Sequence, residues 1–260
     1  MQITLNSYAK INKNLTVGEK KGDYHLIESD IALIDLHSEL TFDITKLDAF
    51  QNEISISVNG EKVDYKPIKK AINLWSKERR YAVKVALNIE DPLPLEAGLG
   101  AMSSYAATTI VALEVAYKDE YQDDAEPLSM YKKLSIAKRI GMDTMFFTSG
   151  LSSAHLSGTG DIIIPQKGTN SKVILHFPDY KCSTKDSYEE LDEEKVHTFI
   201  ELKQNKLYYQ KLIEKTRTDE WKLSGSGSTF FIEKPSKEIL SRMQEWDASG
   251  IHCLITKTLK

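Results

Sequence analysis

Residues 94–104 read Pro-Leu-Glu-Ala-Gly-Leu-Gly-Ala-Met-Ser-Ser, and we call them the first glycine loop. Before it, Tyr81 to Ile89 alternates apolar and polar residues, which predicts a half-buried strand. After it, Ser103 to Lys118 carries the broad apolar face of a helix. A loop of small residues leading into a helix offers free N–H groups and the positive end of the helix dipole to an anion. The segment could equally be a tight turn with a serine cap.

A second cluster of small residues, 224–228, reads Ser-Gly-Ser-Gly-Ser and precedes the apolar run Phe230 to Ile232. We call it the second glycine loop. Small residues allow backbone amides to approach a phosphate closely. A flexible turn would have the same composition. The first loop is not a Walker A motif, because no lysine follows its glycines, and it does not match Gly-x-Gly-x-x-Gly.

Asp143 is the third feature of interest. It follows Gly141, which should end a helix over 128–140, and it precedes an apolar run from Met145 to Phe147. A carboxylate in that position is either a cap for the next turn or a functional acid.

The rest of the chain favours an α+β class with two domains, at 1–150 and 151–260. Residues 54–58 alternate as a strand and run into Asn59-Gly60, a strong hairpin signal. Residues 68–75 have helical spacing, and a polar helical region is predicted from Tyr188 to about Arg217.

Composition excludes several classes of function. The chain is 41% hydrophobic and 28% charged with a net charge of −4, so nothing suggests a nucleic-acid partner. The sequence has no signal-peptide pattern and no apolar run long enough for a membrane span, so we expect a cytoplasmic protein without membrane partners. Cys182 and Cys253 are too few for a zinc ribbon or a disulfide framework. We expect two reduced thiols, with a disulfide between them as the alternative.

Together with the N-terminal Ala9-Lys10-Ile11-Asn12, these segments resemble the GHMP kinases, and among them most closely the 4-diphosphocytidyl-2-C-methyl-D-erythritol kinases. The matching motifs occur in the family's order along most of the chain. They are Ala9 to Asn12, Asp23 to His25, Pro94 to Ala107, Gly141 to Phe147, Gly158 to Asp161, Ser183 to Tyr188 and Ser224 to Gly227.

The resemblance implies a two-domain fold, with an N-terminal domain like domain 2 of ribosomal protein S5 and a ferredoxin-like C-terminal domain. It implies a kinase that uses ATP and Mg²⁺ to phosphorylate a hydroxyl of a small molecule, a cytidine diphosphate alcohol of the non-mevalonate isoprenoid pathway. The expected state is a monomer or a homodimer.

The resemblance also assigns roles to individual residues. Asp143 would accept the substrate hydroxyl proton, and Lys10 would orient it and favour the alkoxide. Ser104 would be a Mg²⁺ ligand. The implied ATP-binding residues are Pro94, Ala97, Gly98, Leu99, Gly100, Ser103 and Ser104. The implied substrate-binding residues are Asn12, Tyr24, His25, Thr184, Tyr188, Gly225 and Ser226, with Tyr24 and Tyr188 around a cytosine ring and His25 at its edge.

Several positions depart from the family pattern. Ala101 and Met102 replace two glycines, so a Cβ at a position of positive φ should cost about 1 kcal/mol and Met102 could block phosphate. Tyr105 replaces a small polar residue of the first helical turn, Met145 replaces a proline, and Asn205-Lys206-Leu207 matches an Asn-Asp-Leu motif only in part. Three interpretations stay open: an active kinase for that substrate, a kinase for another small alcohol, and a ligand-binding pseudokinase.

Overall fold

The computed structural model describes residues 1–121 and 126–260. The chain forms two compact units, each made of several segments. Unit 1 comprises Met1–Ala9, His37–Leu93 and Gly100–Leu151. Unit 2 comprises Lys10–Leu36, Pro94–Leu99 and Ser152–Lys260. The domain boundary at residue 150 stays a prediction.

Two long strands contribute to both units, since β1 (Gln2–Asn12) and β3 (Tyr24–Leu47) each pass from one to the other. In unit 1, the end of β3 pairs with β6 (Ala82–Glu90) in antiparallel fashion. On its other side β6 pairs in parallel with β4 (Glu53–Val58). The predicted strands at 54–58 and 81–89 are therefore confirmed to within one residue at each end.

The Asn59-Gly60 turn is confirmed in detail. It joins β4 to β5 (Glu61–Lys62), with Val58 opposite Glu61. Both turn residues have positive φ, 49° and 85°. Two positive φ angles give the twist that a two-residue hairpin needs, which is why Asn and Gly stand there.

In the described part of unit 1 the helices are α1 (Lys66–Arg79), α2 (Ala101–Tyr121), α3 (Met130–Ile140) and α4 (Met142–Thr148). A proline in its first turn favours the start of α1, and Ser129 caps α3 by accepting from Lys132 N. Gly141 ends α3, as predicted. The helix after the first glycine loop begins at Ala101, two residues before the predicted start.

Unit 2 contains strands that pair with the start of β3, and a separate four-stranded sheet with its helices. The start of β3 pairs with β2 (Thr16–Lys21) and with β7 (Ser153–Ser157), and β7 pairs with β8 (Ile162–Pro165).

The rest of unit 2 has the chain order β-α-β-β-α-β. Its elements are β9 (Lys172–His176), α5 (Thr184–Glu194), a 3-10 turn (Phe199–Glu201), α6 (Lys203–Thr216), β10 (Lys222–Leu223), β11 (Phe230–Glu233), α7 (Lys237–Ser241), α8 (Met243–Ala248) and β12 (Cys253–Lys257). The strand order β10-β11-β9-β12, antiparallel throughout, is the ferredoxin-like arrangement that the resemblance implied.

The predicted polar helical region from Tyr188 to about Arg217 consists of two helices, α5 and α6. Ser183 starts α5 earlier by accepting from Asp186 N, and Lys195 ends it in the left-handed conformation. A core that includes Ile174, Trp221 and Trp246 then holds α6 on the sheet. Across residues 1–121 and 126–260, no helix combines the length and apolarity needed to cross a bilayer.

Candidate active site

The first glycine loop is anchored through four consecutive backbone carbonyls, those of residues 96–99. Each accepts a hydrogen bond from a different part of unit 2. The four hydrogen bonds run from Cys182 N to Glu96 O (2.9 Å), from Thr229 N to Ala97 O (3.2 Å), from Ser224 Oγ to Gly98 O (3.0 Å) and from Lys10 N to Leu99 O (3.0 Å).

This anchoring sets the direction of the loop amides. In a trans peptide the N–H points opposite to the C=O. Because the carbonyls of residues 96–99 face the protein, the N–H groups of residues 97–100 face away from those partners. Positive φ angles at Glu96, Gly98 and Gly100 (56°, 72° and 74°) curve the segment. Successive amides in such a curve form an anion-binding concavity.

The second glycine loop packs directly on residues 96–99. A Cβ placed on Gly98 would lie 1.9 Å from Ser224 O. A Cβ on Gly225 would lie 3.2 Å from each of Lys10 Nζ, Asn12 Oδ1 and Gly98 O. Only glycine allows the backbones to come this close, so unit 2 brings both predicted loops to the end of β1.

Lys10 and Asn12 are buried at that strand end, with 3% and 4% of their surface exposed. The Lys10 ammonium donates to Asn12 Oδ1. Asn12 Nδ2 in turn donates to Ser29 Oγ (2.8 Å), and Asn12 N donates to Ser224 Oγ (3.3 Å). A buried ammonium needs polar partners, and this network holds Lys10 beside the second glycine loop.

The start of α2 is the next part of the first glycine loop. Ser104 N bonds to Gly100 O (2.9 Å), so the amides of residues 101–103 precede the helical ladder. Ser103 is half-buried, whereas Ser104 is buried and its Oγ donates to Tyr8 O (2.7 Å). The Ser104 hydroxyl is thus engaged by β1, and its role as a metal ligand stays a prediction.

The expected backbone penalty at Ala101 and Met102 was wrong. Neither has positive φ, because both lie in the first turn of α2. Tyr105 is fully buried in unit 1, where its hydroxyl bonds to Ser38 Oγ (2.7 Å) and accepts from Leu93 N (2.7 Å). Burial raises the pKa of Tyr105. This departure from the family pattern therefore fills the core of unit 1.

Asp143 lies half-buried in the first turn of α4, in unit 1. The N-cap of that helix is Gly141, so Asp143 is not the cap. The functional role of this carboxylate stays a prediction.

His25 and Tyr188 form a ring pair in unit 2, with centroids 5.3 Å apart and planes at 23°. His25 is buried, with Nδ1 3.0 Å from Gly18 O and Nε2 3.1 Å from Asp192 Oδ1. Asp192 also pairs with Lys20, which lowers the pKa of the carboxyl group. The Tyr24 side chain is 55% exposed.

The remaining predicted residue pair lies at the start of α5, where Thr184 Oγ1 is 3.4 Å from Ser226 Oγ. Sequence reasoning missed Asp192 as the partner of His25, and Lys20 as the partner of Asp192, because neither residue lies in a recognisable motif. It also missed Cys182, whose N–H anchors the first glycine loop.

Comparisons with known proteins show which proteins this chain resembles. A model of the GHMP kinases N terminal domain matches residues 66–151. The 4-diphosphocytidyl-2-C-methyl-D-erythritol kinase of Francisella tularensis subsp. tularensis (strain WY96-3418) is 28% identical over 97% of this chain and 95% of its own. The chain thus carries a match to the N-terminal domain of the GHMP kinases and is similar to a kinase of this superfamily over nearly its full length.

Solved structures of this superfamily share the fold. A 4-(cytidine 5'-diphospho)-2C-methyl-D-erythritol kinase superposes with a TM-score of 0.69 at 20% identity, covering 99% of this chain and all of the other. The mevalonate kinase of Methanococcus jannaschii gives a TM-score of 0.63 at 15% identity, covering 100% and 99%. The α+β fold class is thereby confirmed.

The similar proteins are kinases, so the next question is whether the candidate site fits a nucleoside triphosphate. The outward amides of residues 97–100 fit phosphate oxygens, which are acceptors only. Within residues 1–121 and 126–260, no group of three His, Cys, Asp or Glu could hold a metal ion. Mg²⁺ usually keeps several water and phosphate ligands, and its binding to this protein stays a prediction.

Proposed function

We propose that this protein is an ATP-dependent kinase that phosphorylates a hydroxyl of 4-diphosphocytidyl-2-C-methyl-D-erythritol. The observation that carries the proposal is the junction of the two glycine loops in unit 2, where Lys10 and Asn12 also lie. Its support for this substrate is the near full-length similarity to kinases of that name. Cytoplasmic location and a monomeric or homodimeric state stay predictions.

Backbone amides are the main donors to the phosphates in this proposal. The N–H groups of residues 97–100 accommodate phosphate oxygens, and the free amides at the start of α2 add the positive end of a helix dipole. Ser103, the more accessible serine of the pair, adds a hydroxyl. Bound Mg²⁺ would supply positive charge against the phosphates as charge develops.

Two side chains act on the substrate hydroxyl in this proposal, one on its proton and one on its oxygen. Asp143 accepts the hydroxyl proton as the oxygen attacks, and the Lys10 ammonium stabilises the developing alkoxide. Asn12 keeps the Lys10 ammonium in place by accepting its hydrogen bond. Transfer to the hydroxyl is direct, so no phosphorylated protein forms.

The cytosine ring is assigned to the His25–Tyr188 pair and Tyr24. Aromatic stacking on a base is worth about 1–3 kcal/mol. Both nitrogens of His25 face protein acceptors, at Gly18 O and Asp192 Oδ1. The exposed Tyr24 ring and the Tyr188 ring therefore supply stacking surface, and Thr184 and Ser226 supply hydroxyls near the start of α5.

The deciding experiment measures ADP release with MgATP and 4-diphosphocytidyl-2-C-methyl-D-erythritol. Asp143→Ala should lower kcat by at least about a hundredfold, because it removes the general base. Glu238→Gln is the matched control, since Glu238 is also a first-turn carboxylate but lies exposed on α7. It should turn over at the wild-type rate.

The outcomes separate the three interpretations. Turnover that requires both this substrate and Asp143 establishes the kinase. Binding of the cytidine compound without turnover identifies a pseudokinase, and turnover with a different small alcohol changes the substrate. Near-normal turnover in Asp143→Ala contradicts the catalytic assignment.

A further inference from the structure

We propose that Asn205 is a positioning residue for ATP binding: its buried carboxamide holds the second glycine loop and, through Cys182, ties it to the first. The proposal rests on the proposed function, because ATP affinity is the property it controls. Asn205 keeps the family residue in the incomplete Asn-Asp-Leu match, whose central Asp is Lys206 here. It does not touch the reacting groups.

The carboxamide of Asn205 is 1% exposed and bonded on both sides. Nδ2 donates to Phe199 O (2.8 Å), in the 3-10 turn before α6. Oδ1 accepts from Tyr180 OH (2.9 Å) and from Cys182 Sγ (3.6 Å). One side chain on α6 therefore ties together the turn before it and the segment before α5.

Gly227 lies directly against this carboxamide. A Cβ on Gly227 would be 3.1 Å from Asn205 Oδ1, 3.4 Å from its Nδ2 and 3.3 Å from Cys182 Sγ. The second glycine loop thus rests on Asn205 and Cys182, with its other face toward residues 96–99 through Ser224 and Thr229.

Cys182 connects the two loops. Its thiol donates to Asn205, its Sγ borders Gly227, and its backbone N–H donates to Glu96 O (2.9 Å), the first of the four anchored carbonyls. If Asn205 is truncated, Tyr180 OH and Phe199 O lose a buried partner, and the thiol loses its acceptor. Both loops would then lose the support that orients their amides.

The thiol also provides a reporter that does not need turnover. Burial raises the pKa of Cys182 to about 11, which keeps it protonated and slow to react. In a Cys253→Ser background Cys182 is the sole cysteine, because the chain has two. Its rate of modification by a maleimide then measures how well the loop junction covers it.

The test compares Asn205→Ala with Leu212→Val in that background. Leu212 is a buried residue on the same helix, in the core with Trp221 and Phe230, so its variant loosens α6 without touching either loop. Asn205→Ala should raise both the KM for ATP and the labelling rate about tenfold, as expected for losing one or two buried hydrogen bonds, with kcat nearly unchanged. Leu212→Val should lower the melting temperature and change neither.

The result that overturns the proposal is a folded Asn205→Ala protein with unchanged labelling and unchanged ATP affinity. Equal effects from Leu212→Val also overturn it. If Asn205→Ala does not fold, Asn205→Asp, which cannot donate to Phe199 O, and Tyr180→Phe decide by the same readouts. If wild type does not bind ATP, the proposed function fails, while faster labelling of Asn205→Ala still establishes the support of the loop junction.

Discussion

Thr229, the residue directly after the second glycine loop, donates its backbone N–H to the carbonyl of Ala97 in the first (3.2 Å) and so ties the two loops main chain to main chain. Each loop by itself is compatible with an ordinary turn. The hydrogen bond holds the two loops side by side, and it occupies the Ala97 carbonyl with a protein donor. Since a phosphate is an acceptor, a loop segment whose carbonyls at residues 96–99 are engaged by the protein suits it well.

Gly98→Ala should abolish this junction. The new Cβ would lie 1.9 Å from Ser224 O, and φ at Gly98 is +72°, so clash and backbone strain act together. We expect a loss of at least about 3 kcal/mol of unfolding free energy, or loss of ATP binding if the loops separate. Urea unfolding and calorimetric titration with MgATP measure the two effects.

Gly60→Ala is the control for the strain alone. Gly60 also has positive φ, +85°, but among residues 1–121 and 126–260 no atom beyond its two chain neighbours lies within 4 Å of an added Cβ. It should cost about 1 kcal/mol and leave ATP binding unchanged. Equal losses in the two alanine variants would show that the close approach to Ser224 is unimportant.

Tyr105→Asn restores the kind of residue that the family has, yet it should damage the protein. Tyr105 is fully buried, and its hydroxyl accepts from Leu93 N. Removing the ring leaves a cavity, at a cost of about 3–5 kcal/mol. Tyr105→Phe keeps the ring and should cost only about 0.5–1.5 kcal/mol. Denaturant melts rank the variants, and a stable Tyr105→Asn protein with tighter ATP binding would place this residue at the nucleotide instead.

The order of motifs along the chain predicted the fold and the identity of Lys10 and Asp143 as candidates. It could not predict which loop positions need positive φ, because that depends on where α2 begins. The helix starts at Ala101, so Ala101 and Met102 are helical. Within the first glycine loop, the non-glycine residue with positive φ is Glu96. The partners of His25 were also beyond sequence, since Asp192 comes from a distant helix.

Tyr188→Ala should weaken binding of a cytidine nucleotide far more than binding of ATP. The ring stacks on His25 at 5.3 Å and meets Phe199 edge-on at 4.9 Å, so its removal opens the proposed base site. The expected loss is about 1–3 kcal/mol for the cytidine ligand. Tyr188→Phe keeps the ring and should bind almost normally.

Calorimetric titration of each variant with CDP and with ATP checks this prediction. Tyr131→Ala removes a tyrosine that is 82% exposed in unit 1, and it should leave both affinities unchanged. Equal weakening of CDP and ATP in Tyr188→Ala would remove the cytosine assignment.

The free energy of unfolding should fall as the pH is lowered, because His176 is buried as a neutral ring. This side chain is buried, its Nδ1 donates to His252 O (2.8 Å) and its Nε2 accepts from Tyr208 OH (2.8 Å), an arrangement for a neutral ring. Burial lowers the pKa of His176, partly offset by the hydrogen bond to His252 O. In the unfolded chain His176 therefore takes up a proton near pH 6.5, whereas in the folded chain it takes one up only at lower pH.

The contribution of His176 is consequently present above about pH 6.5 and is lost as the pH falls below it, by at most about 1.4 kcal/mol per pH unit. Unfolding free energies of wild type and His176→Gln between pH 5 and 8 should diverge in slope below that point. His155→Gln is the opposite case, since hydrogen bonds to Asp30 and Glu28 raise the pKa of that histidine. The stabilisation by His155 is present at low pH and is lost as the pH rises. His155→Gln should therefore make the free energy of unfolding fall at least as steeply with acidity as in wild type. A shallower fall in His155→Gln than in His176→Gln would contradict the roles given to the two histidines.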